Sequence, residues 1–364
     1  MVKIGIYVST IKVVEKTTGV GIHTSRMIKA LLKQKNVSLV LFGSYEVKSN
    51  PDYIFNDIQF YSIPYKTRLL ELSWKIFKAP NIDSFIPVVD AIYIPGEEQV
   101  ISKKYKIFYT IHDIYHLKEK KYNIRTMLLR LAYRSYISQH VNKILTVSEF
   151  SKVEISKQLK IKLEDIFVLG NALGFNKNKY KKSRLNTNDK KYIVIGGPIH
   201  IKKGGDEIIE LCCELKKVRS DLDIYITGGL DKKYEKMYED ANLSNTKILN
   251  IITPAELAKM VENALCYIQL SNYETFGIMV IEAMYLGTPV IINDAPGLLE
   301  ISNGNSIICN NKDIRLIISK IKKLENNLDY RNNIISNAIE HALSFNWEVL
   351  SKKLIVLIKK SINK

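Results

Sequence analysis

Ser271–Asp294 reads SNYETFGIMVIEAMYLGTPVIIND. Between Thr275 and Asn293 this run carries one charge, Glu282, in otherwise apolar surroundings. An unpaired carboxylate is expensive to bury, so Glu282 needs a cation, several N–H groups or the hydroxyls of a ligand. Cys266–Leu270 just before the run reads as a strand, Ser271–Thr275 as a loop, and a helix is expected to begin near Phe276-Gly277. Free N–H groups at a helix start bind phosphate, and a glycine lets a ligand approach the backbone. Glu274 stands just before that start and Glu282 about two turns inside it. Two carboxylates flanking an anion site suit a ligand with hydroxyls on both sides of a diphosphate.

The flanking sequence repeats one architectural theme. Lys3–Ser9, Val37–Phe42, Ala91–Ile94, Lys106–Ile111 and Lys143–Val147 are short apolar strands, with helical stretches such as Ile22–Leu32, Ile124–Ser138 and Ser151–Gln158 among them. A polar, basic segment, NKNKYKKSRLNTNDKK at Asn176–Lys191, interrupts the pattern and reads as a linker. Alternation then resumes with strands Tyr192–Ile195, Asp223–Thr227, Lys247–Ile251, Cys266–Leu270 and Val290–Asn293. Between them lie helices Asp206–Lys217 and Pro254–Ala264, the latter with Thr253 as N-cap. Strands alternating with helices predict doubly wound parallel sheets. The expected division is an N-terminal domain over 1–176, a linker over 177–191, a C-terminal domain over 192–344 and a final helix over 345–364 that returns to the first domain. The expected fold class is α/β, two Rossmann-like domains facing a central cleft, with ligand at the carboxyl ends of the strands.

Bulk properties narrow the field. At 364 residues the chain exceeds one typical core and predicts two domains of roughly 150–200 residues. The four cysteines, Cys212, Cys213, Cys266 and Cys309, fit no metal-ligand spacing and read as reduced thiols of a cytosolic protein. MVKIGIYVST is too strand-like for a secretory signal, and no long uncharged apolar run suggests a membrane span. The net charge of +17 favours anionic partners without choosing among them. Lys66–Lys78, KTRLLELSWKIFK, mixes four Lys/Arg with Leu, Trp, Ile and Phe, and Lys118–Arg134 is similar. Such segments bind anionic bilayer surfaces.

Three further motifs stand at strand ends. Gly19 and Gly21 close the loop after the first strand. His112-Asp113 follows Lys106–Ile111, where a histidine can donate to a sugar or to a transition-state oxygen. Lys202-Lys203-Gly204-Gly205 lies between a strand and a helix, where a lysine neutralises diphosphate charge. Ser148 and Ser151 in VSEFS read as an N-cap and the third helical position.

The setting S-x-x-E-x-F-G-x-x-x-x-E-A-M-x-x-G-x-P-V at 271–290 resembles the signature of the retaining glycosyltransferases of GT-B fold, family 4. The TGVG loop, Thr110–Asp113, Leu145–Lys152, the Lys-Gly loop and Phe345–Glu348 follow in the same order. The resemblance implies that Glu274 contacts donor-sugar hydroxyls and that Glu282 holds the nucleotide ribose. It implies diphosphate contacts from amides near Phe276, Gly277 and Ile278, and from Lys202, Lys203 and Gly204. The Gly19–Gly21 loop would close over the donor, and His112 would approach the sugar. Relatives commonly read G-R-x-x-x-x-K-G where this chain has Gly197–Gly204; Lys203 matches the lysine, but Pro198 stands in place of the arginine.

The resulting expectation is retaining transfer of a hexose such as mannose, glucose or GlcNAc. The donor would be a UDP- or GDP-sugar, and the acceptor a hydroxyl of a glycan or lipid-linked molecule, in cell-surface polysaccharide synthesis. Catalysis would rest on His112, Glu274 and Lys203. Neither metal nor cofactor is expected, nor is nucleic acid a partner. The location would be cytoplasmic, peripheral on the inner membrane face through Lys66–Lys78. The alternatives are a GT-B-like sugar-nucleotide epimerase and a basic nucleic-acid-binding protein, against which the dispersed lysines and missing recognition motif argue.

Overall fold

The computed structural model describes residues 1–9, 19–50, 53–118, 124–174, 192–250 and 252–363. It separates into two compact units, Met1–Ala172 with Asn346–Lys364, and Leu173–Phe345. The expected linker over 177–191 lies outside the described residues.

The first unit holds a seven-stranded parallel sheet. Its strands are β1 (Val2–Tyr7), β2 (Val37–Ser44), β3 (Phe60–Ile63), β4 (Ala91–Ile94), β5 (Lys106–Ile111), β6 (Val141–Thr146) and β7 (Ile166–Val168), in spatial order 3-2-1-4-5-6-7. The second unit holds β8 (Tyr192–Ile195), β9 (Asp223–Thr227), β10 (Thr246–Leu249), β11 (Tyr267–Gln269), β12 (Val290–Ile292) and β13 (Ile307–Ile308), in order 10-9-8-11-12-13. Both orders are doubly wound. Each reverses direction once, between β1 and β4 in the first sheet and between β8 and β11 in the second. A crevice opens at the carboxyl ends there. β4 and β11 are buried at every position, as strands covered on both faces must be.

In the first unit Tyr7 is fully buried and meets Phe42 and Trp74 edge-on, with ring centroids 5.7 and 5.3 Å away. The Trp74 indole donates to the Pro80 carbonyl at 2.8 Å. This refines the reading of Lys66–Lys78. Helix Thr67–Phe77 turns Leu70 and Trp74 inward, one turn apart, and leaves Leu69, Leu72, Ile76 and Phe77 largely exposed. Helix Ile124–His140 likewise exposes Ile124, Met127, Leu128 and Leu131. The β3–β4 and β5–β6 connections run the same way along the sheet, so right-handed crossover puts both helices on one face. Burial and then the Lys78 ammonium hold His140 below the usual imidazole range.

Three local differences have simple causes. The helix after β1 spans Gly19–Leu32, so Gly19 and Gly21 form its first turn instead of ending a loop. Short strands β3, β7 and β13 carry too few alternating residues to read in advance. Helix Leu328–Leu343 lacks a sharp apolar stripe, because Arg331 is buried along with Ile335, Ala338 and Ala342. The capping expected at Thr253 and Ser148 is present: Thr253 and Glu256 form a reciprocal capping box, and Ser148 accepts from the Ser151 amide at 3.1 Å.

Truncating Trp74 to Ala should cost about 3–5 kcal/mol, whereas Phe77→Ala should stay within about 0.5 kcal/mol because Phe77 is 74% exposed. Urea denaturation followed by far-ultraviolet circular dichroism checks both.

Candidate functional site

At the reversal point of the second sheet the two strand ends carry the residues singled out above. After β8 the chain passes through Gly196-Gly197 and a short turn at Ile201–Lys203 into helix Gly205–Val218. After β11 it runs through Leu270–Gly277 into helix Ile278–Tyr285. Gly204 decides how close these segments come. It has φ +75°, and a Cβ there would lie 2.1 Å from the Leu270 carbonyl oxygen, so only glycine fits. The amides of Asn272 and Tyr273 then donate to the Lys202 carbonyl at 2.9 and 3.2 Å. That backbone docking carries Lys203 across to Glu274, and their side chains form an ion pair in which both groups are largely shielded from solvent.

Lys202 points elsewhere, its ammonium 5.0 Å from the centre of the Tyr273 ring. At Pro198, where relatives commonly carry arginine, the chain packs against Gly228; a Cβ on Gly228 would sit 3.0 Å from the Pro198 nitrogen. Gly277 is the N-cap of helix Ile278–Tyr285, with φ +76°, and no side chain caps that helix. Its first amides are therefore presented to an incoming anion. Phe276 is buried and meets Phe345 edge-on at 5.9 Å, which fixes the approach to the helix start. Glu282, 7% exposed, accepts the Gly174 amide at 2.8 Å. The structure thus gathers Lys203, Gly204, Glu274, Phe276, Gly277 and Ile278 around two facing loops, and Glu282 follows one turn into the helix.

His112 belongs to the first unit, at the end of β5. It is 8% exposed, and Nε2 stands 2.8 Å from the Pro95 carbonyl. A carbonyl only accepts, so Nε2 carries the proton. A neutral His112 therefore commits that proton within its own unit; donating to a sugar requires a proton on Nδ1 or a turn of the ring. His23 packs edge-on against it, with centroids 4.8 Å apart, and its Nε2 meets the Tyr93 hydroxyl at 2.8 Å. Trp347 also meets His23 edge-on, with centroids 5.2 Å apart. Gly21 is buried in the same helix as His23.

The sequence reading passed over Tyr267, Gln269 and Ser271, which run beneath Glu274, and the Gly174 amide that meets Glu282. A glutamine inside the apolar stretch CYIQL was the available signal for the first group; Gly174 offered none. Among the described residues no cluster of three or more His, Cys, Asp or Glu gathers as a metal site. No disulfide joins the four cysteines, and burial pushes Cys212 up to about 12. No described helix is long and apolar enough to cross a membrane.

Residues 176–341 match the family model described as glycosyl transferases group 1. An uncharacterized glycosyltransferase of Methanocaldococcus jannaschii, MJ1607, is 24% identical over 243 residues, 62% of either chain. The chain spans less than two thirds of the length of the curated relatives it matches. Among solved structures, sucrose-phosphate synthase from Thermosynechococcus elongatus superposes with a TM-score of 0.76 at 15% identity, over all of both chains. Anabaena Alr3699/HepE in complex with UDP and glucose gives 0.72 at 16%, over 99% of this chain and 100% of that one. Likeness at such identities shows the fold, here that of GT-B glycosyltransferases. Residues 176–341 are thus similar to the glycosyl transferases group 1 family, and the fold is that of GT-B glycosyltransferases.

Proposed function

We propose that the protein transfers a hexose, with retention, from a nucleoside-diphosphate sugar to a hydroxyl of a glycan or lipid-linked acceptor. The observation that carries this reading is the Lys203–Glu274 pair beside the uncapped start of helix Ile278–Tyr285. The HepE structure, which holds UDP and glucose, supports a UDP-sugar as one donor class; GDP-sugars are the other.

In this reading the diphosphate lies on the amides at Gly277 and Ile278, and Lys203 turns from Glu274 to meet its charge. Glu274, released, accepts hydroxyls of the donor sugar. Glu282 accepts the ribose hydroxyls from the far side of the diphosphate. As the glycosidic bond breaks, negative charge grows on the leaving nucleoside diphosphate, and the ammonium and helix amides stabilise it. Charge is thus met without a metal. His112 assists on the sugar side.

Helices Thr67–Phe77 and Ile124–His140, on the same face of the sheet, expose apolar side chains together with Arg68, Lys75, Arg125 and Arg134. Helix Ile124–His140 contains no acidic residue. A basic, apolar face of this kind suits peripheral attachment to an anionic bilayer, where a lipid-linked acceptor would reside.

A thermal-shift screen of UDP-, GDP-, ADP- and CDP-sugars should show stabilisation by at least one; no stabilisation by any sinks the donor assignment. Glu274→Ala should abolish transfer yet leave nucleoside-diphosphate affinity intact, since Lys203 is then unopposed. Glu282→Ala should weaken that affinity roughly 10–100-fold. Lys203→Ala should lower kcat by about 10²–10³. In sedimentation assays the protein should bind phosphatidylglycerol vesicles more than phosphatidylcholine vesicles, and Leu72→Glu with Phe77→Glu should remove that binding.

A further inference from the structure

We infer that Tyr267, Gln269 and Ser271 form a directional hydrogen-bond relay that positions the Glu274 carboxylate for the donor sugar. The inference rests on the proposed role of Glu274 in sugar transfer.

Tyr267 and Gln269 are two residues apart on β11, so both side chains leave the same face of the sheet. Both are buried, at 0% and 4% exposure, in a strand whose other neighbours are apolar. Polar groups in that position carry a desolvation cost unless each is bonded. Here they are bonded in series. The Tyr267 hydroxyl lies 2.8 Å from Gln269 Oε1, Gln269 Nε2 lies 2.7 Å from Ser271 Oγ, and Ser271 Oγ lies 3.5 Å from Glu274 Oε2.

Donor and acceptor roles follow from chemistry. A tyrosine hydroxyl facing an amide oxygen donates; the other end of that amide must then donate to Ser271. Ser271 has its oxygen occupied as an acceptor, so its own hydrogen is aimed at Glu274. Every hydrogen in the series points toward one carboxylate oxygen, the same oxygen that meets Lys203. The last link is long, as catalytic hydrogen bonds often are before a ligand draws them in. Burial, with Glu274 and Glu282 nearby, pushes the Tyr267 hydroxyl above the ordinary tyrosine range, so it remains a donor at any working pH.

Two further observations are independent of the bonds. A Cβ on Gly196 would lie 2.1 Å from the Tyr267 oxygen and 2.2 Å from Gln269 Oε1, so the end of β8 is stripped of a side chain where the relay passes. The loop that carries Ser271 is also held from behind. Asn293 donates to the Ser271 carbonyl at 3.1 Å, Asn311 donates to the Asn272 side chain at 2.7 Å, and the Asn311 amide donates to Asn293 at 3.0 Å.

Tyr267 therefore acts at a distance by fixing which way the Gln269 amide faces. With phenylalanine at 267, nothing holds the amide oxygen away from Ser271. The amide can reverse, and the Ser271 hydrogen then goes to Gln269 and not to Glu274. Tyr267→Phe should resemble Ser271→Ala although the tyrosine is three links away from the carboxylate.

The test uses the full chain with whichever of UDP-, GDP-, ADP- or CDP-glucose or -mannose supports transfer by the wild type. Each single variant should lower kcat about tenfold, the worth of one hydrogen bond to a charged group. Affinity for the corresponding nucleoside diphosphate, by calorimetry, should remain within about twofold. Ser271→Thr should restore most of the rate. Tyr267→Phe combined with Ser271→Ala should be no slower than Ser271→Ala alone, because the two share one pathway. Unchanged kcat in the single variants overturns the relay, as do multiplicative losses in the double variant. A loss that follows nucleoside-diphosphate affinity and melting temperature together also overturns it, since that is the mark of a merely structural role. Absence of transfer by the wild type with every donor instead overturns the proposed function.

Discussion

The Lys203–Glu274 pair is the interaction on which the second unit's site depends. Both groups sit where water reaches poorly, so each requires an opposite charge. Removing one partner of a shielded pair costs more than the pair itself contributes, because the survivor keeps its desolvation penalty without compensation. The surroundings are arranged to make the pair possible. Gly204 lets one loop touch the Leu270 carbonyl, the Lys202 carbonyl takes two amides of the facing loop, and Gly277 turns the chain into a helix directly behind Glu274.

Such a pair suits a site that must hold a charged ligand part of the time. A nucleoside diphosphate offers Lys203 a stronger anion than a single carboxylate, and a sugar offers Glu274 hydroxyls that can donate. In the proposed function, ligand binding would exchange one satisfied arrangement for another, with no charge left bare at either stage. Glu282 differs in kind. Its anchor is a backbone amide, which cannot move away without moving the chain at Gly174. One carboxylate has a partner that a ligand can displace, and the other is fixed in place.

Much of this was legible in the sequence because the deciding residues lie close together in it. Between Thr275 and Asn293 a single carboxylate in an apolar run stands out against burial energetics, and the glycines at 204 and 277 mark the points where backbone approach or a left-handed turn is needed. The doubly wound order was readable for the same reason, since strands and helices alternate at short spacing. What escaped notice depends on direction, not on spacing. That Trp74 faces the core while Phe77 faces solvent is a matter of helix phase. That Gln269 speaks to Ser271 while Leu270 between them does not is a matter of strand alternation. His112 was visible as a histidine at a strand end, but its proton is assigned by Pro95, seventeen residues earlier and on another strand's exit.

Pro198 shows what the site requires in place of a second fixed cation. The loop after β8 is fastened where an arginine would otherwise stand: Ile199 exchanges backbone hydrogen bonds with the Gly229–Asp231 segment, and Gly228 packs on the proline ring. No side chain from 198 can reach back over the strand ends, and Lys202 lies over Tyr273. In the proposed reaction, stabilisation of a leaving diphosphate therefore falls on Lys203 and on the half charge at a helix start. A helix dipole acts only over its first turn, so an anion has to sit close against Gly277 to be stabilised by it. The close glycine contacts, the doubly held loop at Ser271 and the buried row of donors beneath Glu274 all serve to keep that geometry fixed.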